Sequence, residues 1–147
     1  MAPPTLRDRD ALVTRDGLIF RVLGYTHPPG GYICDPEYAP AELFTSRDPR
    51  AYRTDGRRVY YKFYSDEGWR FIQERLSRYM ILHEPLGRRV IGVGNPDIAE
   101  VKRPSEALRI LLERGSGDEL LEALRGVLEI VMEGSGSSIG DFGVFGS

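Results

Sequence analysis

The chain has only one cysteine, Cys34, among its 147 residues. A single thiol excludes an intrachain disulfide, and no group of cysteines and histidines has the spacing of a structural zinc site. Lysine is almost absent too, since Lys62 and Lys102 are the only lysines among 20 basic residues. The net charge of −2 provides no overall attraction to nucleic acid or to membranes. Any binding to such partners therefore has to be local.

Long hydrophobic runs are also missing. The first ten residues contain no apolar signal core, and no segment approaches the roughly 20 apolar residues needed to span a bilayer. We therefore expect a cytoplasmic protein with no membrane association. The 41% of hydrophobic residues is enough for a real core, so disorder of the whole chain is excluded.

The first hundred residues show patterns typical of β-strands. Leu12-Val13 and residues 18–23 flank the Asp16-Gly17 turn, where glycine permits the positive φ of a hairpin. A third strand is expected at 32–34, ending before Pro36, because proline cannot donate to a strand ladder. Two more strands are predicted at 58–64 and 88–93. Residues 39–56, ahead of the 58–64 strand, are predicted to form the longest irregular connection, and residues 97–101 are either one helical turn or a short extended piece.

Three helices are predicted by apolar spacing. The first begins with Ser65 as its cap and carries Trp69, Ile72, Leu76, Tyr79 and Met80 at helical intervals. The second spans 104–114. The third spans 117–133, with Ser116 and Glu119 at capping-box spacing. We expect the last two helices to form a hairpin that buries one stripe of the third: Leu120, Leu124, Val127, Leu128 and Val131.

These elements predict an α+β fold. It comprises a small, mostly antiparallel sheet with one covering helix, followed by a C-terminal helical hairpin and a short terminal strand. The predicted domains are an α+β region at 1–103, the helical hairpin packed on it at 104–133, and a linker with a first strand at 134–147.

One segment has the composition of a nucleic-acid surface. It interleaves Tyr52 with five arginines, and guanidinium groups bind phosphates while aromatic rings stack on bases. The alternative is a solvated loop whose neighbouring tyrosines belong to the core. The arginines are Arg47, Arg50, Arg53, Arg57 and Arg58.

The other reactive side chains do not suggest a catalytic site. His27 and His83 lie in unrelated settings, one in a proline turn and one after a helix, and neither has an evident orienting partner. Cys34 has no basic neighbour that would lower its pKa, so we expect a buried and inert thiol.

The final residues carry a resemblance to a known family. The run GVFGS at 143–147 follows a long helix and a polar turn, and it resembles the first motif of predicted nucleotidyltransferases of the DNA polymerase beta superfamily. The chain is most similar to an archaeal group with a separate N-terminal region before that motif. Weaker similarity extends through Arg9-Asp10, residues 16–20, His27-Pro28 and residues 95–104.

The resemblance implies a function for the longer protein. In that family Gly146 and Ser147 would hold nucleotide phosphates, while a pair of aspartates beyond residue 147 would bind Mg²⁺. This chain would then be an accessory region joined to the first strand of a catalytic domain, inactive by itself, with nucleotide or RNA or DNA as partners of the whole protein. Two alternatives remain: an RNA- or DNA-binding module that uses residues 47–58, and a structural or oligomerisation domain that forms a homodimer.

Overall fold

A computed structural model describes residues 5–114 and 118–144. The fold is α+β, as predicted, and the chain divides into two compact units, one up to Val101 and one from Lys102 onward. The strands are β1 (Ala11–Thr14), β2 (Ile19–Val22), β3 (Gly31–Pro40), β4 (Tyr52–Thr54), β5 (Val59–Lys62), β6 (Met80–His83), β7 (Arg88–Gly94) and β8 (Ile98–Lys102). The helices are α1 (Ser65–Arg75), α2 (Pro104–Glu113) and α3 (Glu119–Ser135), with short 3₁₀ turns at Glu84–Leu86, Asn95–Asp97 and Ile139–Asp141.

The strands form one sheet in the order β4-β5-β3-β2-β1-β8, and β7 joins β3 to β6. Strand β3 holds this arrangement together because it pairs antiparallel with β2, with β5 and with β7. The strand has ten residues and is longer than predicted, because it does not end before Pro36. Pro36 lies buried opposite Phe20, and a register shift between Ile19 and Phe20 accommodates the missing donor.

The predicted irregular connection at 39–56 is shorter in the structure. Ala39 and Pro40 belong to β3, and Tyr52–Thr54 form β4, which pairs with β5. The open question at 97–101 is resolved in favour of an extended segment, β8.

Helix α1 is shorter than its apolar spacing predicts. It begins at Ser65 with Tyr64 at the N-cap position, and it ends at Arg75. Tyr79 is buried beyond the helix, Met80 starts β6, and the Trp69 side chain is 61% exposed. Phe71 takes the expected place of Trp69, with its ring stacked on Phe63 at 5.5 Å between centroids. Periodicity predicts the helix but not which of its side chains are buried. That choice depends on the aromatic residues that face the helix, such as Phe63.

The core of the first unit occupies one face of the sheet. Phe20 and Leu12 are fully buried at its centre. A smaller cluster lies on the alternate strand positions and consists of Ala11, Val13, Ile19 and Tyr60. At roughly 1.5–3 kcal/mol for each large apolar side chain, these two clusters are the main favourable contribution to folding. The other members of the first cluster are Leu6, Leu18, Val22, Tyr32, Cys34, Ala39, Phe44, Phe71, Leu76, Tyr79 and Val93.

The second unit contains α2 and α3. Pro104 occupies the first helical turn of α2, as its fixed φ favours. Asp118, and not the predicted Ser116, is the N-cap of α3; its side chain accepts hydrogen bonds from the backbone N–H groups of Leu120 and Leu121. Ser116 lies outside the described residues. The helix ends two residues later than predicted, where Gly136 adopts a φ of 72°.

The prediction for the buried stripe of α3 is mostly wrong. Leu128 is buried and Leu124 is half-buried, but Leu120 is 79% exposed and Val127 57% exposed. Val131 is exposed as well. The helix turns Leu121 and Leu128 inward, so the predicted stripe lies about one position away from the buried side.

The predicted terminal strand is also wrong over its described part. Ile139–Asp141 form a 3₁₀ turn, because Ser138 and Asp141 make a reciprocal capping box. After it, the backbone N–H of Val144 donates to the carbonyl of Pro104 at 3.0 Å, which ties this segment to the start of α2. Gly146 and Ser147, the predicted phosphate-binding pair, lie outside the described residues.

Candidate functional site

The predicted arginine segment lies beside the edge strand β4. Arg50 is held by its neighbours: its Nη2 donates to Oδ2 of Asp48 at 2.7 Å and its Nε to Oδ1 at 3.1 Å. The same guanidinium lies 5.1 Å from the centre of the Tyr64 ring. These hydrogen bonds from Arg50 lower the pKa of Asp48 to about 2. Arg50 therefore has an intramolecular carboxylate where a phosphate would otherwise bind.

Arg53 is also engaged within the chain. Its Nη1 donates to the carbonyl oxygens of Arg50 at 2.6 Å and Tyr52 at 2.8 Å, which fixes the backbone entering β4. Arg57 and Arg58 lie in the turn after β4, and both side chains are exposed. In that turn the Asp55 carboxylate accepts hydrogen bonds from the backbone N–H groups of Arg57 and Arg58, at 2.8 Å each.

The structure thus divides the five predicted arginines. Arg47, Arg57 and Arg58 present exposed side chains. The Arg50 side chain is exposed as well, but it is paired with Asp48, and the half-buried Arg53 bonds to backbone carbonyls. Tyr52 is 49% exposed, with its ring edge-on to Tyr61 at 6.0 Å. Nucleic-acid binding by this segment stays a prediction.

Both histidines line one cleft of about 470 Å³. The expectation of unrelated settings is wrong, because residues 26–31, which include His27, and residues 81–85, which include His83, line the same cleft. Strand β6 was not predicted from sequence, since Tyr79 and Met80 were assigned to a helix. Without β6, no sequence signal placed His83 near His27.

Within this cleft, His27 has a structural role. Its Nδ1 accepts a hydrogen bond from the Ile33 backbone at 3.0 Å, and its Nε2 lies 3.2 Å from the Gly24 carbonyl, to which it donates. Its ring also makes an edge contact with Tyr32, at 5.3 Å between centroids. With both ring nitrogens bonded to backbone, His27 holds the turn and has no lone pair left for a metal or a substrate proton.

A polar network that joins buried Thr14 and Tyr79 to the exposed Asp16 was missed in the sequence. The phenol of Tyr79 donates to Oδ1 of Asp16 at 2.7 Å, and the hydroxyl of Thr14 donates to the same oxygen. Burial, and then the bond to Asp16, raise the pKa of Tyr79 to about 12. Burial opposes ionisation of Asp16, but the bonds from Thr14 and Tyr79 outweigh it and lower the pKa of that carboxyl. The sequence does contain a signal for this network in the Thr-x-Asp-Gly run at 14–17, but the pattern by itself predicts only a turn.

Cys34 is buried and inert, as predicted. Its thiol donates to the Tyr32 carbonyl at 3.2 Å, and burial raises its pKa to about 12. A thiol with that pKa is almost entirely protonated at neutral pH.

The described residues do not provide a magnesium site. Across 5–114 and 118–144, no three His, Cys, Asp or Glu side chains are grouped so that they could hold a metal ion. The Asp16 and Asp48 carboxylates are instead bonded to groups of the chain itself. The Mg²⁺ implied by the family resemblance therefore does not fit the donors described here.

No helix in the described ranges is both long and apolar enough to cross a membrane. No protein-family profile matches the chain, and no solved structure matches it. The chain is similar to an uncharacterized protein, MJ1086, of the archaeon Methanocaldococcus jannaschii. The two are 30% identical over 144 residues, which cover 97% of this chain and 42% of the relative. The chain therefore spans less than half the length of this relative.

Proposed function

We propose that this chain is the accessory region of a nucleotidyltransferase-like protein and does not catalyse nucleotidyl transfer alone. The observation that carries the proposal is the alignment: nearly all of this chain corresponds to less than half of the archaeal relative. In that relative, the equivalent region is joined to a longer polypeptide. The GVFGS run at 143–147 supplies the link to nucleotidyl transfer by its resemblance to the first catalytic motif.

The chemistry requires more than this region offers. Mg²⁺-dependent transfer of a nucleotidyl group needs carboxylates that hold metal ions beside the phosphates. In the proposal, Gly146 and Ser147 begin a phosphate cradle, and aspartates of a following segment hold the metal. The part described in the structure would support that domain structurally.

Nucleotide binding tests the proposal. We expect calorimetric titration of this chain with each nucleoside triphosphate and Mg²⁺ to show no binding at micromolar concentrations, because Gly146 and Ser147 alone lack the metal ligands. The matched control is the full-length archaeal relative under the same conditions, where binding is expected. Micromolar affinity in this chain would contradict the assignment of an incomplete site.

A second candidate function is RNA or DNA binding along β4. Exposure of Arg47, Arg57 and Arg58, which flank β4, favours it, together with the exposed Tyr52 ring on β4. Cationic groups beside an aromatic ring suit a single strand, whose phosphates and bases they contact separately. The internal pairing of Arg50 with Asp48 makes this surface smaller than the sequence predicts.

A further inference from the structure

Helix α3 directs an apolar surface toward solvent. We use the name α3 face for its four exposed residues Leu120, Ala123, Val127 and Ile130. Leu120 is 79% exposed, Val127 57% and Ile130 72%. A row of large apolar side chains at these exposures is unfavourable in water and typical of a surface that binds another protein.

The orientation of α3 is set by contacts on its other side. Leu121 and Leu128 are buried, at 8% and 7% exposure. Arg125 donates through Nη2 to the backbone carbonyl of Leu112, the residue that links α3 to α2. The helix cannot turn its exposed face inward without losing both the buried leucines and this hydrogen bond.

The spacing of the α3 face is that of a helix-pairing seam. Its residues follow one another at intervals of three, four and three, which are the a and d positions of a heptad pattern. Such a seam presents side chains that insert between those of a second helix with the same repeat. An apolar groove of about 400 Å³, lined in part by Leu111, Leu121 and Leu124, lies beside the seam and offers space for a side chain of that second helix.

The borders of the seam identify the occupant. One border carries Glu119, Gly126 and Glu133, and the other carries Leu124 and Val131. In a parallel pair of identical helices, each glutamate border faces the uncharged border of the partner. In an antiparallel pair, Glu119 of one helix approaches Glu133 of the other, and like charges repel. The face therefore complements a second copy of itself in the parallel orientation.

Gly126 supports close approach at this border. A glycine inside a helix is less stable than an alanine, so it usually has a packing reason. A Cβ added at Gly126 meets no atom of the chain within 4 Å. Among the described residues no contact explains the glycine, whereas a neighbouring helix beside the seam would use the space.

We propose that two copies of this chain associate through parallel pairing of their α3 faces. This proposal does not rest on the nucleotidyltransferase assignment, since it uses only α3 and its neighbours. Burial of Leu120, Val127 and Ile130 against the partner removes the largest exposed apolar surface of this helix from water.

Sedimentation equilibrium of the intact chain is the first test, and we expect a dimer at high micromolar concentration. The double variant Val127→Glu with Ile130→Glu places charges in the seam, so its dimer dissociation constant should rise roughly tenfold or more. Both side chains are exposed, so folding should persist, as circular dichroism will show. The control is Leu82→Glu, an exposed leucine of the other unit, which should leave the dimer unchanged. A wild-type monomer, or a dimer insensitive to the double variant, would overturn the proposal.

Disulfide trapping tests the orientation. Cys34 is buried, so an introduced cysteine is the accessible thiol. In a parallel pair Leu120→Cys faces its own copy, whereas in an antiparallel pair the two sulfurs lie about 15 Å apart, too far for a disulfide. We expect oxidation to link the Leu120→Cys dimer and not the Glu122→Cys control on the opposite side of the helix. Equal linking of both variants, or none of Leu120→Cys, would overturn parallel pairing.

Discussion

Tyr79 shows how one side chain connects distant parts of the first unit. It lies 63 residues from Asp16 in sequence, yet its phenol bonds the Asp16 carboxylate in the β1–β2 turn. Its ring also contacts Phe20 in the core, at 5.2 Å between centroids. The guanidinium of Arg78 lies 4.9 Å from the centre of the same ring. A residue with both a buried ring and a bonded hydroxyl fixes the turn against the segment that follows α1.

Tyr79→Phe should lower stability while keeping the ring in place. The lost bond has a charged acceptor at neutral pH, so we expect a decrease of about 1–2 kcal/mol in the free energy of unfolding, measured with urea. The matched control is Tyr25→Phe, whose side chain is 74% exposed and should have no effect. Equal stability of Tyr79→Phe and the wild type would show that this bond does not hold the turn.

The same pair predicts a pH dependence. The pKa of Asp16 is lower in the folded chain than its ordinary value of 3.8, so its contribution is fully present above that value. The contribution is lost as the pH falls through the lower folded pKa. The stability difference between wild type and Tyr79→Phe should therefore shrink in acid. A difference that grows below pH 3.8 would contradict the assigned ionic state of Asp16.

At the scale of elements, α3 is where sequence periodicity and structure disagree most. The helix has apolar residues over a wide sector, so a stripe drawn through Leu120 and Val127 satisfies helical spacing as well as one through Leu121 and Leu128. The choice between the two stripes depends on tertiary contacts, such as the hydrogen bond from Arg125 to the Leu112 carbonyl of α2, which periodicity does not report.

Alanine substitution along α3 distinguishes the two stripes. Leu128→Ala removes a buried side chain and should cost about 2–5 kcal/mol of unfolding free energy. Leu120→Ala changes an exposed side chain and should stay within about 0.5 kcal/mol, when measured at low concentration where the chain is monomeric. A larger loss of stability in Leu120→Ala than in Leu128→Ala would show that the stripe predicted from the sequence is the buried one.

The strand β4 and its flanks carry the second functional prediction. If the segment binds single-stranded nucleic acid, the exposed Arg47, Arg57 and Arg58 make the phosphate contacts. Their joint replacement by alanine should reduce the slope of log affinity against log salt by roughly 2. The control is Arg109→Ala, because Arg109 is paired with Glu106 and Glu113 on α2. Binding that ignores salt, or an unchanged slope, would place the surface elsewhere.

At the scale of the whole molecule, local signals predicted most elements. The Asp16-Gly17 hairpin, the aromatic strand β5 and the proline start of α2 were predicted because each depends on residues close in sequence. Pro36 inside β3 was missed, since its bulge is defined by the partner strand. The shared cleft of His27 and His83 was missed for the same reason, as it depends on the pairing of β6 with β7.

Nearly all of this chain aligns with 42% of the archaeal relative, so most of that protein lies beyond the similarity. The proposal assigns nucleotidyl transfer to that remaining part, and phosphate contact to the position of Gly146 and Ser147 where the two parts meet.

The most direct measurement is a transfer assay on that relative. The full-length protein and a fragment limited to the 144 aligned residues are incubated with labelled nucleoside triphosphates and Mg²⁺. We predict nucleotide incorporation or pyrophosphate release by the full-length protein, its loss when the Gly-Ser equivalent to Gly146 and Ser147 is changed to bulky residues, and none by the fragment. Equal activity in the fragment, or no reaction by the full-length protein with any nucleotide, would contradict the account.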